Sequence, residues 1–156
     1  MDELDRNVIE LFAAEPRVGV LEASRRLGVA RGTVQARLDR LQRTGVVSGW
    51  GPQLEPAALD HPVTAFLTLE IRQVGAGGHD AVGVHLATIP ELLEACTITG
   101  PGDMWCRVVA RSNADLQRVI DLVLAHDAIV RCSTVIALAT QVPHRVLPLL
   151  GTVVAG

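Results

Sequence analysis

Lysine is absent: all fourteen basic side chains of this 156-residue chain are arginine. The bias runs through both halves, so it reads as composition and not as a device of one site. No apolar run approaches the roughly 18 residues that a membrane span needs. The opening MDELDRNVIE is acidic, where a secretory leader opens basic and then turns apolar, so a cytoplasmic protein with no membrane partner is the expectation. Cysteine is scarce. Cys96, Cys106 and Cys132 are odd in number and show no CxxC spacing, which argues against a disulfide framework and a zinc site. Their places on expected strands suit buried thiols acting as small apolar residues. The five histidines lack metal-ligand spacing. No P-loop, Rossmann glycine pattern or Ser-His-Asp grouping is visible, and no cofactor is called for.

What is present is an ordinary globular composition, 49% apolar and 20% charged, at a length that suits one medium domain or two small ones. The net charge of −3 hides a strong asymmetry. Residues 20–50 carry six arginines against Glu22 and Asp39, a local charge of +4, while the flanking segments are acidic.

Leu4, Val8, Leu11 and Phe12 form one stripe of an amphipathic helix that Pro16 stops. A short helix is expected over Val20 to Leu27, capped by Gly19 and ended by Gly28, and a third over Arg31 to Arg43 with Val34, Leu38 and Leu41 facing inward. Two short helices separated by Leu27-Gly28-Val29-Ala30 have the spacing of a helix-turn-helix, and GVVSGW (Gly45 to Trp50) has the strand character of a wing. A recognition helix sets its N-terminal outer residues on base edges and its later basic ones on phosphates. Arg31, Thr33 and Gln35 are therefore the candidates for base reading, and Arg40 and Arg43 for phosphate contact. Arg37 lies beside the inner stripe, where it can pair with an acid and brace the motif. Gly32 costs about 1 kcal/mol relative to alanine inside a helix. It makes sense where the helix start approaches another backbone closely, as a DNA phosphate requires.

Residues 51–62 hold three of the eight prolines and read as a linker. Beyond it, Val63 to Ile71 alternates as a strand, Gly75 to Gly78 is a loop, and about His79 to Thr88 reads as a helix. Leu92 to Thr99 is a second strand, Gly100 to Asp103 a turn, and Met104 to Ala110 a third strand. Ser112 and Asp115 form a capping box before a helix striped with Leu116, Val119, Ile120 and Val123, and Ile129 to Leu138 is the fourth strand. The βαββαβ order over residues 63–142 predicts a ferredoxin-like sandwich, giving an α+β chain: a winged helix-turn-helix over 1–50, then this sheet domain. Two helices cover one face of the sheet, and dimerisation is the expected cover for the other. The apolar tail, 143–156, either packs on a neighbouring subunit or closes the domain.

The runs LDRNVIELF, EASRRLGVARGTVQARLDRLQRTGVVSGW and LEPAALD resemble the N-terminal half of the Lrp/AsnC (feast/famine) transcriptional regulators, and ITGPGDMWCRV is similar to that family's glycine-aspartate turn. The resemblance covers roughly residues 2–142. It implies a regulator that binds double-stranded promoter DNA, a domain that senses a small effector, commonly an amino acid, and homodimers that often assemble into octamers. Carried over by position, it places Thr99, Gly100 and Asp103 at the effector, with Thr134 on the last strand. A glycine turn can cradle a carboxylate and Asp103 can pair with an α-ammonium group. This chain departs from the family in having Pro101 and Gly102 after the first glycine, and Met104 in place of a frequent aromatic.

Two other readings share the layout. A tetrapyrrole decarboxylase needs His85, Arg107 and Arg111 to converge in one cleft. A sensing or assembly module without DNA binding leaves the concentrated +4 segment unexplained.

Overall fold

In the computed structural model, residues 1–72 and 78–152 are described. The helices and strands run α1 (Glu3–Ala14), α2 (Val20–Leu27), α3 (Arg31–Arg43), β1 (Val63–Ile71), α4 (Gly78–Leu86), β2 (Leu92–Thr97), β3 (Met104–Ala110), α5 (Asn113–Leu124) and β4 (Ile129–Ile136). They fall into two compact units, residues 1–53 with 142–152, and residues 54–141.

In the first unit the expected stripes meet. Val8 and Phe12 of α1, Ala23 of α2, and Val34, Leu38 and Leu41 of α3 form one buried cluster. The α1 start is better built than its sequence suggested. The Asp2 side chain accepts from the Asp5 amide and Asp5 accepts from the Asp2 amide, a reciprocal capping box made by two aspartates. Gly28 ends α2 in the left-handed conformation at φ +67°.

The expected wing strand does not form. Gly45 turns the chain at φ +73°, Val47 donates its N–H to the Leu41 carbonyl at 3.1 Å, and residues 45–50 have no strand partner. A strand gains its hydrogen bonds only from a neighbour, so this segment packs instead. Val47 adds to the helical cluster, and the Trp50 ring meets Phe12 edge-on at 5.6 Å. The described part of the tail forms a 3-10 turn at Leu147–Thr152 and belongs to this unit, beside α1.

The second unit opens with a 3-10 turn, Pro56–Leu59, inside the expected linker. Its sheet has the order β2-β3-β1-β4, all antiparallel, as a ferredoxin-like βαββαβ chain requires. Ala65, Leu67 and Leu69 of β1 pack with Val82 and Leu86 of α4 and with Leu116, Val119 and Val123 of α5, so both helices lie on that face. Phe66, Thr68 and Glu70 point to the other face, where Phe66 stacks on Trp105 at 5.3 Å. Of the Gly75–Gly78 loop, Gly78 begins α4 and the rest lies outside the described residues. The expected capping box at α5 is half made: Ser112 accepts from the Asp115 amide, whereas Asp115 accepts from the Arg111 amide. Cys106 is buried and Cys132, registered with Leu69 under the helices, half-buried, but Cys96 registers with Trp105 on the face away from the helices and is exposed.

Candidate nucleic-acid interface and effector cleft

The outer face of α3 separates into braced and free arginines. Asp5 is 0% exposed, and Arg37 and Arg40 both reach it from α3, with Arg37 also bonding Asp2. Burial pushes the Asp5 carboxyl up, but hydrogen bonds from the Asp2 amide, Arg37 and Arg40 outweigh it and bring its pKa down to about 2. Arg37 is thus the expected brace. Arg40, expected at a phosphate, is drawn into the same brace: its Nη2 donates to both Asp5 oxygens, while its side chain stays 43% exposed. Arg31 and Arg43 are exposed and make no ion pair among the described residues. Gln35 donates from Nε2 to Asp39 Oδ1 at 2.8 Å. Thr33 is half-buried in the first turn, and a Cβ built on Gly32 meets nothing within 4 Å.

The turn between β2 and β3 is held down on β1. Asp103 Oδ2 accepts the Ile71 amide at 2.7 Å, its own amide donates to the Leu69 carbonyl at 2.8 Å, and its carbonyl accepts from Ile98 at 3.0 Å. The carboxylate expected at an α-ammonium group therefore carries a backbone bond. Gly102 sits at φ +87° with a would-be Cβ 2.4 Å from Thr68 Cγ2, so the turn lies flat on the strand. Beside it opens a cleft of about 310 Å³ lined by Thr68, Glu70, Pro101, Gly102, Arg131 and Ser133. Glu70 and Arg131, paired across β1 and β4, approach to 3.6 Å there. Thr99 and Gly100 lie exposed on the turn without lining this cleft. Thr134 registers with Leu67, on the helix-covered side, away from it. The lining residues were missed because strand alternation marks a face but not which end of it a turn will roof.

His85, Arg107 and Arg111 do not converge. His85 donates to the Leu122 carbonyl in the helix layer, Arg107 registers with Phe66 on the opposite face, and Arg111 caps the start of α5. The geometry that a tetrapyrrole site required is not there.

Comparison with known proteins decides the lineage. The profile of the AsnC-type helix-turn-helix domain matches residues 1–42, and that of the Lrp/AsnC ligand binding domain matches residues 64–147. The chain belongs to the Lrp/AsnC family. It is a transcriptional regulator of that family with a ligand-binding domain. The HTH-type transcriptional regulator FL11 of Pyrococcus horikoshii is 26% identical over 149 residues, 96% of this chain and 97% of its own. The regulatory protein AsnC of Escherichia coli K12 is 26% identical over 149 residues, 95% of this chain and 97% of its own. The solved E. coli AsnC superposes with a TM-score of 0.85 at 25% identity, over 95% of this chain and 99% of that one. A Neisseria meningitidis regulator solved with L-Met gives 0.84 at 20% identity, over 98% and 99%, and supports the fold. No helix among the described residues is long and apolar enough to cross a membrane.

Proposed function

We propose that this Lrp/AsnC regulator binds double-stranded promoter DNA through α3, in the cytoplasm and as an oligomer whose DNA binding responds to an amino acid. Arg31 and Arg43, which make no ion pair among the described residues, carry the reading from the outer face of a braced recognition helix. Arg31, Thr33 and Gln35 face base edges. Arg43 contacts phosphate, joined by the N–H groups of Arg40 that the brace leaves free. One head makes few phosphate contacts, so tethering heads through a homodimer, or an octamer built from such dimers, supplies the affinity.

The effector reading centres on the β2–β3 turn. Thr99 and Gly100 offer polar groups of the turn, and Asp103 holds its shape. Arg131 suits a carboxylate and Glu70 an ammonium group, the two ends of an amino acid. Thr134, on the helix-covered side of β4, is left out of this reading. The Phe66–Trp105 stack on the same face as the cleft fits a second sheet, so subunit packing and effector occupancy can be coupled. The L-Met in the Neisseria structure supports an amino acid as the class.

Fluorescence anisotropy on labelled DNA from upstream of the protein's own gene, with and without the twenty amino acids pooled, tests this. The expected result is specific binding that shifts with the pool. Failure to bind any promoter specifically overturns the DNA reading, and specific binding indifferent to every amino acid overturns the effector reading.

A further inference from the structure

Asp39 is the sole acid of α3, exposed on the face that carries Arg31, Gln35 and Arg43. A carboxylate there costs affinity beside phosphates, so its place needs a reason. It is one helical turn from both Gln35 and Arg43, the spacing at which side chains meet. It bonds Gln35 at 2.8 Å and, among the described residues, no arginine. Arg43 stays free for phosphate while the carboxylate engages the glutamine.

The consequence is chemical. A carboxylate only accepts hydrogen bonds, so the amide edge turned toward Asp39 is the nitrogen. One N–H of Gln35 is consumed. Its oxygen and one N–H remain, an acceptor and a donor on an exposed side chain. Adenine offers the matching N6 donor and N7 acceptor in the major groove, whereas guanine offers two acceptors, O6 and N7. An untethered glutamine can turn both N–H groups toward guanine. A tethered one meets guanine O6 with its own oxygen.

We propose that Asp39 is a positioning residue that fixes the Gln35 amide, so that α3 selects adenine over guanine at one position of its DNA site. This rests on the DNA-binding reading above. The test is selection from a randomised double-stranded DNA library by the full chain, followed by sequencing, for the native protein and for Asp39→Ala, Gln35→Ala and the double variant. The native chain is expected to enrich a site in which one position prefers adenine over guanine roughly tenfold or more. Asp39→Ala should keep every other position, bind DNA overall as tightly or more tightly, and lose most of that one preference. The double variant should match Gln35→Ala at that position. The thermal midpoint of Asp39→Ala, measured alongside, should stay within about 2 °C of the native one. A native profile with no enriched sequence overturns the DNA reading together with the proposal. A native site whose adenine preference survives Asp39→Ala, or whose positions all weaken together, overturns the proposal alone.

Discussion

Asp103 Oδ2 accepts the amide of Ile71 across 2.7 Å, tying the turn between β2 and β3 to the far end of β1. A charged acceptor on a half-buried N–H contributes about 1–3 kcal/mol, and its removal orphans that N–H. Asp103→Ala should therefore lower unfolding free energy by about that much in urea, and Asp103→Asn by less, because its carbonyl still accepts. DNA binding at temperatures below the transition should persist in both.

The same turn depends on Gly102. Alanine there combines a φ of +87° with a Cβ only 2.4 Å from Thr68 Cγ2. Gly102→Ala should cost about 2 kcal/mol or more in the melting transition. Adding Thr68→Ser removes the clashing methyl and should recover part of the loss, while the backbone strain remains.

Acid should weaken the helical unit through Asp5. Its carboxyl falls from an ordinary 3.8 to about 2 in the folded chain. Between those values the unfolded chain binds more protons, so stability rises with pH. The contribution, about 2 kcal/mol, is complete above pH 3.8 and lost as pH falls through about 2. Asp5→Asn should flatten that part of the pH profile, followed by far-UV circular dichroism in urea.

Gly32 is a stability cost that no contact among the described residues requires, since its Cβ position is open to them. Gly32→Ala should raise stability by about 0.5–1 kcal/mol and weaken DNA binding through the lost close approach. Thermal melts and DNA titrations of the same preparation check both halves. Unchanged DNA affinity would contradict the close-approach reading.

The helices and strands were legible because each has a period and a stop. Val34, Leu38 and Leu41 at helical spacing between Ala30 and Gly45 placed α3 at Arg31–Arg43, and the alternation of Val63 to Ile71 placed β1. The wing was misjudged because β-propensity in Val46 and Val47 says nothing of whether a partner strand is within reach. Side-chain roles were harder to read. Arg37 and Arg40 share a buried acid 32 to 35 residues away, a pairing that only the packing of α1 on α3 creates. The Glu70–Arg131 pair at the cleft depends likewise on the β1–β4 register, which no local pattern encodes.

We propose that a braced α3 meets promoter DNA with Arg31 at a base and Arg43 at phosphate. The most direct test is the salt dependence of binding to the DNA upstream of the protein's own gene, against unrelated DNA, for the native chain, Arg31→Ala and Arg43→Ala. A steep native slope is predicted, reduced by about one in Arg43→Ala, with Arg31→Ala losing about 1–3 kcal/mol on the specific DNA alone. A shallow slope, or equal binding to both DNAs that neither substitution changes, would contradict it.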